Sequence, residues 1–175
     1  SMVDVQHKEM IYSIPVPGRT RWTVFDAQAD AFYVNIADPA QIVTVKASEP
    51  DRIAHTLAVP AAGPHGLDLD AENRRLFCAC DAGKLFVIDL ETGLITGKAG
   101  LSGVPDVIFY NPELNHLYAA VGDPGVIDVF DTVTVTRLAM ISTEKGAHTI
   151  AFDTQRIKVF AFLPQTNRAA VYVDR

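Results

Sequence analysis

Gly63-Pro64-His65-Gly66-Leu67-Asp68-Leu69-Asp70, followed by Arg75-Leu76-Phe77-Cys78-Ala79 and then Leu85-Phe86-Val87-Ile88-Asp89-Leu90-Glu91-Thr92-Gly93, is a succession of short runs rich in apolar residues, separated by turn residues. Runs of this length, bounded by Gly, Pro, Asp and Asn, read as β-strands. The succession recurs. Related stretches end at Asp26, Asp70, Asn111 and Asp153, at spacings of 44, 41 and 42 residues.

Working outward, the run Met10–Ile14 precedes three strands at Trp22–Asp26, Phe32–Ile36 and Ile42–Lys46. The order then repeats from a strand equivalent to that first run: Ile53–Val59, His65–Asp70, Leu76–Cys80 and Leu85–Leu90. A third unit has Ile95–Leu101, Asp106–Tyr110, Leu117–Val121 and Ile127–Asp131, and a fourth has Arg137–Ser142, His148–Asp153, Val159–Leu163 and Ala170–Asp174. No stretch shows a 3.6-residue apolar period, and 126–145 is full of Val, Ile and Thr, so the chain is expected to be all-β. A constant period near 42 residues fits a β-propeller of four-stranded blades better than a sandwich or a closed barrel. One domain over 1–175 is expected, with repeats at about 9–51, 52–93, 94–135 and 136–175.

The units resemble the YVTN-type β-propeller repeat. The resemblance rests on Pro64-His65-Gly66 before an inner strand, Phe32-Tyr33-Val34-Asn35 and Leu117-Tyr118-Ala119 in second strands, and Val87-Ile88-Asp89-Leu90-Glu91-Thr92-Gly93 at a third. It covers nearly the whole chain and implies the fold, while propellers of this kind serve unrelated roles. Trp22 and Asn111 depart from the inner-strand pattern, and Val135 stands where the repeat has the Gly found at Gly93, so that turn is expected to differ.

Met10–Ile14 reads as a fourth strand without a blade, and the last unit as a blade without a fourth strand. Pairing Met10–Ile14 with Ala170–Asp174 would hide two unpaired edges. Four blades could close within one chain at roughly 90° per blade, or two chains could close an eight-bladed ring at roughly 45°. Since the resemblance implies rings larger than four, the homodimer is the favoured expectation.

A net charge of −6, with basic residues scattered, argues against a phosphate-binding surface, and no nucleic-acid partner is expected. No apolar run approaches the ~20 residues of a membrane span. Ser1-Met2-Val3-Asp4-Val5 has neither a basic nor an apolar leader segment, and a cytoplasmic location is expected. Cys78 and Cys80, two apart on one strand, share a face and are poorly placed for a mutual disulfide; they read as buried thiols.

Aligning the units places Arg21, His65, Asp106 and His148 at equivalent positions at the start of the inner strands, where a propeller's ligand pole would lie. Loops between second and third strands add Asp38, Asp81 and Asp123, with Lys84 and Asn167 nearby. Imidazole and carboxylate suit polar recognition, acid–base work or a divalent ion, for which His65 and His148 are the candidate ligands. The same residues also serve as turn formers and as structural hydrogen-bonding groups. No Gly-x-Ser-x-Gly, phosphate-binding Gly-rich loop, His-Glu-x-x-His or EF-hand motif occurs. A non-enzymatic binding scaffold without cofactor is therefore the leading expectation. The alternative is a metal-dependent propeller enzyme similar to lactone hydrolases or streptogramin-type lyases.

Overall fold

A computed structural model describes residues 1–174, which form an all-β chain without helices. Three four-stranded antiparallel sheets follow one another in sequence. The first contains β3 (Thr20–Asp26), β4 (Ala31–Ile36), β5 (Gln41–Lys46) and β6 (His55–Ala58). The second contains β7 (Pro64–Asp70), β8 (Arg75–Cys80), β9 (Lys84–Asp89) and β10 (Ile95–Gly100). In the third are β11 (Pro105–Asn111), β12 (His116–Val121), β13 (Val126–Asp131) and β14 (Thr136–Ser142). The fourth sheet has three strands: β15 (Ile150–Asp153), β16 (Lys158–Leu163) and β17 (Arg168–Val173). The inner strands stand side by side, β3 on β7, β7 on β11 and β11 on β15, and Trp22 of β3 also packs on the cluster that holds Val107 and Ile150. Among the described residues no closed ring forms.

The strand sequences explain the stacking. Side chains alternate across a sheet, so a sheet between two others must be apolar at both parities. In β8, Leu76, Cys78 and Cys80 join Tyr33 and Ile42 of the first sheet, while Phe77 and Ala79 join Ile108, Leu117 and Ala119 of the third. In β12, Tyr118 and Ala120 face the opposite way, onto Ile150, Val159 and Ala161. Strands such as β8 and β12 are accordingly buried along nearly their whole length, whereas β16 alternates between buried and exposed. Burying a side chain of the size of Phe77 contributes roughly 1.5–3 kcal/mol.

Turn chemistry repeats as well. Asp26, Asp70, Asn111 and Asp153 each accept backbone N–H groups in the turn after the inner strand. Asp89 and Asp131 do the same after the third strand. The turn containing Val135 keeps the form of its counterpart at Gly93. Both residues take a left-handed φ, 71° at Gly93 and 55° at Val135, and the Val accepts a conformation that β-branched residues rarely adopt. Both cysteines are buried and free, with Sγ atoms 3.9 Å apart. Its contact with Cys80, together with burial, pushes the Cys78 thiol well up.

The N-terminus departs from expectation. Met10–Ile14 was expected against Ala170–Asp174, but β2 (Glu9–Tyr12) pairs antiparallel with β1 (Met2–Asp4), a strand the sequence did not announce. Asp4 draws together the turn between them: its Oδ1 accepts the N–H of Gln6 at 2.8 Å and of His7 at 2.9 Å, and Lys8 supplies a positive φ. Closing so short a loop costs less chain entropy than pairing with a strand at the far end of the sequence.

Candidate functional site

Arg21, His65 and Asp106 are each the second residue of an inner strand, and His148 lies two residues before β15. In the first three sheets the register shifts at this point, between Thr20 and Thr23, Pro64 and Gly66, and Pro105 and Ile108. A bulge leaves a residue out of the ladder and re-aims its side chain. All four side chains meet along one edge of the stacked sheets.

His65 stands at the centre. Its Nδ1 is 2.7 Å from Asp81 Oδ1, and its Nε2 is 3.2 Å from Arg21 Nη1. Nδ1 donates to the Asp81 carboxylate, while Nε2 accepts from the guanidinium in the singly protonated ring and donates to Asp106 only in the doubly protonated one. Asp106 Oδ1 lies 2.9 Å from the same Nε2. Arg21 Nη2 reaches Asp81 Oδ2 at 3.4 Å, and His148 Nδ1 is 2.5 Å from Asp106 Oδ2. The result is a connected row, Arg21–His65–Asp106–His148, with Asp81 behind His65. The His65 side chain is 15% exposed and the His148 side chain 56%. Arg21 Nε is buried without a hydrogen-bond partner among the described residues.

The backbone beneath is fixed by residues that carry no site chemistry. Asn35, fully buried in β4, donates through Nδ2 to the carbonyls of His65 (2.9 Å) and Gly66 (3.1 Å), tying the first sheet to the second. A Cβ on Gly66 would lie 2.7 Å from the Asp106 carbonyl oxygen, so glycine is what allows β7 to approach β11 closely enough for His65 to meet Asp106. Lower on β7, Asp68 accepts the Tyr110 N–H at 2.6 Å and the Leu69 N–H at 2.8 Å. Burial pushes its carboxyl up to about 6 against the opposing pull of those two donors.

The remaining expected residues stay apart from this row. Asp123 pairs with Lys145 Nζ at 3.1 Å, both side chains well exposed, and Asp38 makes none of the row's contacts. Among the described residues no group of three or more His, Cys, Asp or Glu is disposed to hold a metal ion, and the Nδ1 of both His65 and His148 is directed at a carboxylate. Sequence reading missed Asn35 and Asp68. The signal for each was a lone polar residue within an otherwise apolar run, Phe32–Ile36 and Gly66–Leu69.

At the opposite edge the sheets are joined by ion pairs. Arg74 Nη1 is 2.6 Å from Asp26 Oδ2, and Arg75, bound to Asp70, also donates to the Thr132 carbonyl at 2.7 Å. Burial would raise the Asp26 carboxyl, but the Arg74 hydrogen bond and the turn N–H groups outweigh it and hold the group below the usual carboxylate range.

The fold and site thus define a repetitive all-β protein with a charged edge assembled from four successive sheets. Compared with protein-family models and with curated proteins, the chain matches none.

Proposed function

We propose that this chain is a β-propeller-type binding scaffold that takes a small polar ligand at the edge carrying Arg21, His65, Asp81, Asp106 and His148. The observation that carries the reading is the connected row of ionisable side chains, three on positions freed from the ladders of the first three sheets and His148 just before the fourth. Such convergence of polar groups on one edge of a rigid scaffold is the usual form of a recognition site. The YVTN-type resemblance agrees with it, since the repeat's inner-strand entry supplies the row. His148 is the exposed member and offers its Nε2 to a ligand. Arg21, His65 and Asp106 hold one another in place, which reduces the ordering cost on binding.

A second reading, an enzyme similar to the lactone hydrolases or lyases built on propellers, draws on the 2.7 Å Asp81–His65 contact, the arrangement that orients a general base. Against it, the His65 Nε2 faces Arg21 and Asp106 instead of open space. The test is calorimetric titration with a panel of sugars, sugar acids and dicarboxylates, alongside lactone-hydrolysis assays with and without divalent ions. Binding that His148→Ala abolishes, without turnover, supports the scaffold. Turnover that is lost in His65→Ala supports the enzyme and overturns it.

A further inference from the structure

The fourth sheet leaves an apolar face uncovered, and the first sheet leaves one partly covered, with Val43 and Val45 buried beside the N-terminal residues and Phe25 exposed; the two faces are the two halves of a contact that the chain already makes three times. Phe160 and Phe162 of β16 hold the strand positions of Phe77 and Ala79 in β8 and of Tyr118 and Ala120 in β12. Those four residues are buried against the following sheet, whereas Phe160 is 36% and Phe162 51% exposed. Val171 likewise holds the position of Val87 and Val129, both buried, yet is 52% exposed. On the first sheet the matching half is turned outward. Phe32 and Val34 occupy the positions by which Leu76 and Cys78, and then Leu117 and Ala119, pack on the preceding sheet. Beside them Phe25 is 47% exposed and stacks on Phe32 with ring centroids 4.6 Å apart.

From this we propose that a second copy of the chain covers both faces, its first sheet packing on the fourth sheet here and its fourth sheet on the first, so that two equivalent junctions close a ring of two chains. Three further features agree. The row along the charged edge runs Arg21, His65, Asp106, His148, one contact per sheet-to-sheet step. Continued across the junction, the next contact is from His148 to Arg21 of the partner subunit. This accounts for the high exposure of His148 and places the buried, unpartnered Nε of Arg21 at the boundary. The fourth sheet has three strands where the three stacked before it have four, leaving β17 as an edge. Finally, a groove of about 420 Å³ on the first sheet's outer face is lined by Met2, Ile14 and Val16 together with Phe32, Val34, Val43 and Val45. Met2, Ile14 and Val16 therefore lie beside the face on which the partner subunit's fourth sheet would pack. A face matched to a different face of the same chain forms heterologous contacts, which are stable as a finite assembly when the succession closes.

The inference is independent of what the charged edge binds. It is tested by size exclusion with light scattering on the full chain over a range of concentrations. Twice the 19.0 kDa chain mass is expected. Phe25→Glu and Phe162→Glu, each at an exposed position, are each expected to reduce the mass to that of one chain while the circular dichroism of the sheets persists. Mixing the two variants restores one intact junction per pair and is expected to recover the doubled mass. If a variant loses its β spectrum, the wild-type mass decides alone. A wild-type mass of one chain, a doubled mass that neither substitution changes, or an open series of larger species would overturn the proposal.

Discussion

Asp68 shows how a single residue sets a pH response. Its carboxyl, raised from an ordinary 3.8 to about 6 by burial, retains its proton in the folded chain through an interval in which the unfolded chain has released it. The contribution of Asp68 to stability therefore falls as pH rises from 3.8 to about 6, by up to ~3 kcal/mol at 1.36 kcal/mol per unit. Asp68→Asn removes this slope whatever constant offset it introduces through its two backbone donors. Urea unfolding of both proteins across that interval is expected to show the variant gaining on the wild type as pH rises, and parallel curves would refute the assignment. The apolar run Gly66–Leu69 marks Asp68 as a lone polar residue but not as a buried one, because β7 gives no regular alternation by which to tell an inward carboxylate from an outward one. By contrast, the positions of Arg21, His65, Asp106 and His148 were legible, since the repeat places them in register without any knowledge of their contacts.

At the scale of strands, the repeat located sixteen elements, with ends shifted by a few residues where ladder pairing extends into the turns. What could not be read was β1, three residues long, and the preference of β2 for it. That preference rests on the Asp4 carboxylate closing the turn, a contact that depends on backbone geometry. The close passage of β7 past β11 was equally hidden, because the functional weight of Gly66 comes from the Asp106 carbonyl opposite it, 40 residues away. Gly66→Ala is expected to push these strands apart and destabilise the protein by ~1–3 kcal/mol, the range for overpacking a well-filled interior. It should also loosen the His65–Asp106 contact, visible as a change in the His65 ring resonances in NMR spectra. An alanine variant of unchanged stability and unchanged His65 signals would show that β7 and β11 have room to spare.

Across the whole molecule, the two edges of the stacked sheets do different work. One carries the charged row; the other is sewn from sheet to sheet by Arg74 on Asp26 and Arg75 on Asp70 and Thr132. Removing the cation from a fully buried carboxylate leaves an unpaired charge, so Arg74→Met is expected to cost ~3–5 kcal/mol near neutral pH. The Asp26 carboxyl is held low, so the stability it contributes is complete above 3.8 and is lost as pH falls through its lower folded value. The variant's deficit is therefore expected to shrink on acidification, as denaturant titrations at neutral and strongly acid pH would reveal; a constant deficit would argue that Arg74 acts through packing. The stacking itself carries a consequence for how such a chain can change. Each internal sheet offers one face of each kind, so a duplicated segment equivalent to residues 64–104 would enter the succession with only side-chain volumes to adjust and leave both outermost faces as they are. Length in this architecture is a quantity that gene duplication can alter in whole steps, without inventing a new contact.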